Sequence, residues 1–247
     1  MADPTVRPSD PPQVRRGSKI VSILVGPDKE EFTVHKDLIS ASSIYFKQAF
    51  DGQFVEARTE QIILLEEDGD IFEYFCDWLY SGQRMREIIR NREKWALDLF
   101  WIKVFCMADM LFIPGLQIFA WQKIRSHFNH HFERIPSPDF IQFLFDKISD
   151  STQAIKMYVL EHVAFWTRWG NESHRRIELI QAHHQFCSEM VAILARALTS
   201  AVMLHPSRTP GFEKKHGLDL SQLEEEARAS DQKEGVTGGA KSSGMLP

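Results

Sequence analysis

Phe32-Thr33-Val34-His35-Lys36-Asp37-Leu38-Ile39-Ser40-Ala41-Ser42-Ser43-Ile44-Tyr45-Phe46 is the stretch on which the fold turns. At its start apolar Phe32 and Val34 flank a polar residue, the period of a half-buried strand. Leu38, Ile39, Ile44, Phe46 and, just beyond, Phe50 then recur at helical spacing, which predicts two short helices. Phe32 and Val34 are expected to point inward, with His35 and Lys36 at the strand-to-helix turn.

Working outward, Ile20-Val21-Ser22-Ile23-Leu24-Val25 is a β-branched apolar run closed by Gly26-Pro27. Asp28-Lys29-Glu30 turns it back onto Phe32 and Val34, so a hairpin is predicted. Ile62-Ile63-Leu64-Leu65 reads as a third strand, ended by Glu66-Glu67-Asp68-Gly69. Helices then take over. Ile71, Phe72, Phe75, Trp78 and Leu79 share one broad face of a helix that Gly82 stops. The segment from Trp95 to Phe112 is apolar nearly all round and should be the central buried helix. Pro114 interrupts, and Gly115–His131 forms another. Three more are expected at Asp139–Ile148, Ala154–Trp169 and Gln185–Leu204. Strands followed by helices mean an α+β fold: a small three-stranded sheet covered by helices, with an all-helical C-terminal extension.

The ends read differently. Residues 1–18 are Pro-rich and almost without apolar side chains, so a disordered start is expected there. Residues 205–247 are read as a disordered tail with one short helix inside it, capped by Ser221 with Glu224 three residues on. Between them the division expected is a main domain over 19–131 and a helical extension over 137–204. Lys and Arg number 29 against 34 Asp and Glu, a formal net charge of −5, which argues against nucleic acid as the main partner. Cys76, Cys106 and Cys187 form no C-x-x-C pair, and an odd count suits a reducing compartment, cytoplasm or nucleus. The first residues lack the apolar stretch of a signal peptide, and no run of 18 apolar residues suggests a membrane span.

Three motifs in order carry a family resemblance. The opening stretch resembles the F-x-V-H-K…L…S-x-Y-F signature of the BTB/POZ domain. Phe72-Glu73-Tyr74-Phe75-Cys76-Asp77-Trp78-Leu79-Tyr80-Ser81-Gly82 is similar to its F…W-L-Y-[ST]-G helix. Val104-Phe105-Cys106-Met107-Ala108-Asp109-Met110-Leu111-Phe112-Ile113-Pro114-Gly115-Leu116 is similar to its A-D…I-P-G-L segment. The resemblance places the domain at 19–131 and extends to the single-BTB proteins of filamentous fungi. It marks Phe32, Val34, His35, Lys36, Ser43, Tyr45, Phe46, Tyr80, Gly82, Ala108, Asp109 and Pro114 as structural signature positions.

That resemblance implies a non-catalytic protein-interaction module without cofactor or metal. Many BTB proteins recruit cullin-3 as substrate adaptors of ubiquitin ligases, through a φ-x-E element ahead of the third strand. Phe54-Val55-Glu56 stands at that place. The alternative is a scaffold that pairs with itself or with another BTB protein and has no ubiquitin role. Homodimeric members carry a helix ahead of the first strand, whereas only polar, Pro-rich residues precede Lys19-Ile20 here, so the usual homodimer is not expected.

Chemistry fares worse. His35 is read as a histidine that bonds its own turn, and Asp109, within an apolar helix, as a carboxylate capped by a nearby donor rather than a base. His127, His130 and His131 put two imidazoles on one helical face, but spacing supplies no third ligand. Gly235–Ser242 nearly matches a phosphate-binding loop, yet Ala240 replaces the second glycine and no strand precedes it. The most basic stretch, 83–94, reads as a solvated insertion, and Ser137-Pro138 and Thr209-Pro210 as bare proline-directed dipeptides.

Overall fold

The computed structural model describes residues 17–81, 97–130, 135–146, 152–169, 178–179, 181–199, 209 and 211–236. The expected disordered start, the insertion at 83–94, Gly82 and His131 lie outside those residues, apart from Gly17 and Ser18.

Strands β1 (Ile20–Val25) and β2 (Glu30–His35) form the expected antiparallel hairpin. Val21 pairs with Val34 and Ile23 with Phe32, so the apolar sets of both strands fall on one face. Strand β3 (Gln61–Leu64) joins β1 in parallel, Ile62 beside Ile23 and Leu64 beside Val25, and the sheet order is β2-β1-β3. Pairing stops at Leu64, one residue earlier than the sequence suggested, and Leu65 is exposed. A parallel pair requires a crossover. Three short helices supply it: α1 (Lys36–Ser42), α2 (Ile44–Asp51) and α3 (Val55–Thr59).

Helix α4 (Gly69–Tyr80) buries Ile71, Phe72, Phe75, Trp78 and Leu79. Its N-cap is Asp68, whose Oδ1 accepts from the Asp70 N–H at 3.1 Å. Helix α5 (Leu97–Met110) is buried on most sides, as its unbroken apolar run foretold. It ends in a paired closure: the Phe112 N–H donates to the Asp109 carbonyl and the Ile113 N–H to the Ala108 carbonyl. Phe112 occupies the left-handed position of that motif (φ 51°), where glycine is the common choice. Helix α6 (Pro114–His130) starts on a proline, which needs no N–H donor there. It buries Leu116, Ala120, Ile124 and Phe128 along one line.

The C-terminal half contains α7 (Pro138–Asp146), α8 (Gln153–Trp169) and α9 (His184–Thr199). A single apolar cluster runs through both halves. Phe128 of α6 packs on Phe140 of α7 (5.9 Å) and on His162 of α8 (5.0 Å), and Trp121 packs edge-on against Tyr158 (5.4 Å). A polar tie accompanies this packing. Buried Asp98 of α5 accepts from the Ser137 N–H at 2.8 Å, while Ser137 Oγ accepts from the Phe140 N–H and so caps α7.

The expectation of a disordered tail is corrected over much of its length. Helices α10 (Phe212–Lys215) and α11 (Leu220–Val236) lie within it. Phe212 and Leu218 are buried, Phe212 edge-on to Tyr158 at 5.7 Å. Composition suggested disorder because the anchors are isolated, yet each fills a socket built by distant helices. Asp219, not Ser221, caps α11: its Oδ1 accepts from the N–H groups of Ser221 and Gln222.

Candidate interaction surface

The signature residues occupy the joints between elements. Val34 is fully buried on the sheet's inner face, and half-buried Phe32 stands edge-on to Phe72 at 5.1 Å. His35 Nδ1 lies 2.8 Å from the Tyr80 hydroxyl, whose oxygen also accepts the His35 backbone N–H at 3.1 Å. Since that oxygen already accepts one hydrogen bond, the hydroxyl can give its proton to Nδ1. The ring thus fastens the end of α4 to the turn after β2. Lys36 Nζ donates to the Phe50 carbonyl and pairs with Asp51 at 2.8 Å, clamping both ends of the α1–α2 unit.

Ser43 makes a second clamp. Its buried Oγ donates to the Leu111 carbonyl at 2.5 Å and accepts from the Phe46 N–H at 3.2 Å, so one hydroxyl caps α2 and fixes it to the exit of α5. Phe46 is fully buried, stacked on Phe50 and Phe75. Ala108 is fully buried, and half-buried Asp109 receives Gln117 Nε2 at 2.9 Å beside the start of α6. A carboxylate near a helix N-terminus is favourably placed. Pro114 begins α6, and Gly82 lies outside the described residues.

Phe54, Val55 and Glu56 behave differently. Phe54 precedes α3, and both Phe54 and Val55 are 63% exposed. Gly52 lets the chain turn here because a Cβ at that position would meet the Gln48 carbonyl and the Phe54 ring. Phe54 therefore rests one ring edge on the backbone and turns the rest outward. Glu56 is half-buried near Tyr45. Burial, and secondarily the charge of Glu56, push the Tyr45 hydroxyl above its ordinary pKa. Two large apolar side chains, a phenol and a carboxylate thus share one corner of the surface.

A second exposed apolar set escaped the sequence reading. Ile44 (56% exposed) and Phe112 (61%) are the chain neighbours of Ser43 and Leu111, the two residues joined by the hydroxyl clamp, and Met110 is exposed as well. The available signal was Phe112 two residues ahead of Pro114, a bulky residue placed where a helix must end. Of the histidines read as lacking a third ligand, His127 lies edge-on to Phe128, and the His130 side chain and His131 lie outside the described residues. Among the described residues, no group of three or more His, Cys, Asp or Glu side chains could hold a metal ion. None of their helices is long and apolar enough to cross a membrane.

Residues 19–111 match the family model of the BTB/POZ domain. This part of the chain is a BTB/POZ domain. The match runs from the start of the sheet to the end of α5, so the His35, Lys36, Ser43 and Phe46 joints fall inside it. The BTB fold is a protein-interaction module, and a function in binding other proteins follows from it. Helices α6 to α11 extend beyond the match and continue the BTB core rather than standing apart from it.

Proposed function

We propose that this BTB protein is a non-catalytic adaptor that presents Phe54, Val55 and Glu56 to cullin-3 for ubiquitination of a bound client. The observation that carries the reading is the pair of 63%-exposed apolar side chains at the start of α3, with a carboxylate one residue on. Large apolar groups with an orienting charge beside them make an effective anchor, since desolvation supplies affinity and the charge supplies register. The signature residues act through the fold: they fasten α1 and α2 to α4 and to the exit of α5 behind this corner.

Titration calorimetry with the purified cullin-3 N-terminal domain tests the reading. Wild type is expected to bind with a Kd of about 10 μM or tighter. Phe54→Ala/Glu56→Ala is expected to weaken binding without lowering the melting temperature, because Phe54 is exposed. No heat at that concentration range would sink the adaptor role and leave the BTB assignment standing. The second reading, a self-pairing or hetero-pairing BTB scaffold, draws on Ile44, Met110 and Phe112. Light scattering separates the two: a stable dimer with no affinity for cullin-3 favours the scaffold. In either reading the protein works by its surface, in the cytoplasm or the nucleus.

A further inference from the structure

A polar joint ties α5 to α7, and the serine at its centre opens a Ser-Pro dipeptide. Asp98, 5% exposed on α5, accepts from the Ser137 N–H at 2.8 Å, from the Ser137 hydroxyl at 3.4 Å and from the Leu99 N–H at 2.9 Å. These donors are all uncharged, and among the described residues no cation lies within ion-pair distance of the carboxylate. Ser137 Oγ also accepts from the Phe140 N–H at 3.2 Å, capping a helix whose Phe140 and Ile141 are buried. Ser137 itself is half-buried, and Pro138 and Asp139 after it are exposed. The sequence has two positions where serine or threonine precedes proline, Ser137 and Thr209. Among the described residues Thr209 bonds only through its carbonyl, which accepts from the Phe212 N–H, so its hydroxyl holds no joint together. The Ser137 hydroxyl does.

We propose that Ser137 is a phosphorylation site for a proline-directed serine/threonine kinase, and that the phosphate releases α7 from α5. Ser137 Oγ attacks the γ-phosphorus of ATP, and a new O–P bond forms. The bond from that phosphorus to the β–γ bridging oxygen breaks, ADP leaves, and the hydroxyl proton passes to the kinase's base. Residues 135–137 are neither helix nor strand, so swinging the serine outward costs the Asp98 bonds and the first turn of α7, and no strand pairing. The kinase acts on that open form, and the modification keeps it open. Reclosing would bring a group of about two negative charges within hydrogen-bond distance of a buried carboxylate, with no cation to balance either. The start of α7 favours negative charge, and a phosphate oxygen can still cap it. What is lost is therefore the tie to α5 rather than the helix. This inference holds for either reading of the interaction surface.

The test uses the full chain carrying Thr209→Ala, so that one Ser/Thr-Pro site remains, with a purified mitogen-activated protein kinase, ATP and Mg²⁺. Tandem mass spectrometry is expected to place a phosphoryl group on Ser137, and Ser137→Ala to remove it. A chain left unmodified at Ser137 would overturn the proposal. Urea unfolding then compares the phosphorylated and unmodified chains. The folding equilibrium constant is expected to fall at least about tenfold on phosphorylation, but less than about threefold when Asp98→Asn has removed the buried charge. No fall, or equal falls in the two backgrounds, would overturn the release of α7. Hydrogen exchange on the phosphorylated chain is an independent arm that needs no change at Asp98. The Ser137 amide, now bonded to Asp98, should exchange about a hundredfold faster after phosphorylation while amides in the middle of α6 stay as they were. Undiminished protection at Ser137 would overturn the release as well.

Discussion

The BTB half and the helical half both pack ring on ring, but in the BTB half polar clamps at the element joints also fall on signature positions. In the first, joints depend on single polar side chains reaching a particular backbone or side-chain group: His35 with Tyr80, Lys36 with Phe50 and Asp51, Ser43 with Leu111. In the second, aromatic rings meet other rings: Phe128 with Phe140 and His162, Tyr158 with Trp121 and Phe212. A polar clamp demands one residue type at one place, so it leaves a motif. Ring packing accepts many apolar side chains of suitable volume and leaves a weaker trace, as at Phe32 and Phe46.

The contrast breaks down if the halves unfold separately. Phe128 belongs to both cores, and Phe128→Ala is expected to cost about 3–5 kcal/mol. Calorimetry should show one transition shifted downward; two transitions, only one of them moved, would mean that the helical half is an independent unit. Ser43→Ala tests the polar clamps. Losing the α2 cap and leaving the buried Leu111 carbonyl without its donor should together cost about 2 kcal/mol in urea titrations.

Alkaline pH sharpens the comparison, since each half buries a weak acid whose pKa is strongly raised. Burial holds the Cys76 thiol and the Tyr158 hydroxyl at about 12, against ordinary values of 9.0 and 10.0. The folded chain keeps protons that the unfolded chain gives up. Their contribution is fully present below pH 9 and is lost as pH rises towards 12. Cys76→Ala should therefore blunt the first part of that decline, an effect of about 1–2 kcal/mol near pH 11 in unfolding titrations.

Two smaller effects should be stabilising. Lys156 is buried on α8 with its ammonium 4.9 Å from the Phe145 ring, and burial lowers its pKa while nearby Glu189 opposes the shift. Lys156→Met is expected to add about 1 kcal/mol at neutral pH. Phe112→Gly should add about 0.5 kcal/mol by relieving the left-handed residue at the end of α5. Thermal melts read both.

Much of the fold was legible because its signals are local. The alternation at Phe32 and Val34, the helical spacing after Leu38 and the Pro114 break mark their elements within a few residues. The corner at Phe54, Val55 and Glu56 could be located by its position ahead of β3, but its exposure could not. Whether Phe54 tucks under the strand or faces outward depends on Gly52 and the path of α2. Asp98 gave no warning either, since its partner Ser137 lies 39 residues away.

The sequence by itself determined the hairpin, the order of the strands and of the longer helices, and the residues at the BTB joints, because period and side-chain type act over short distances. Only the tertiary structure decided that β3 pairs in parallel with β1, that the helical extension shares one core with the BTB domain, and that the tail folds back. Those outcomes depend on which apolar surfaces meet across the chain. Burial is a property of the pair of surfaces, so neither segment alone could announce it.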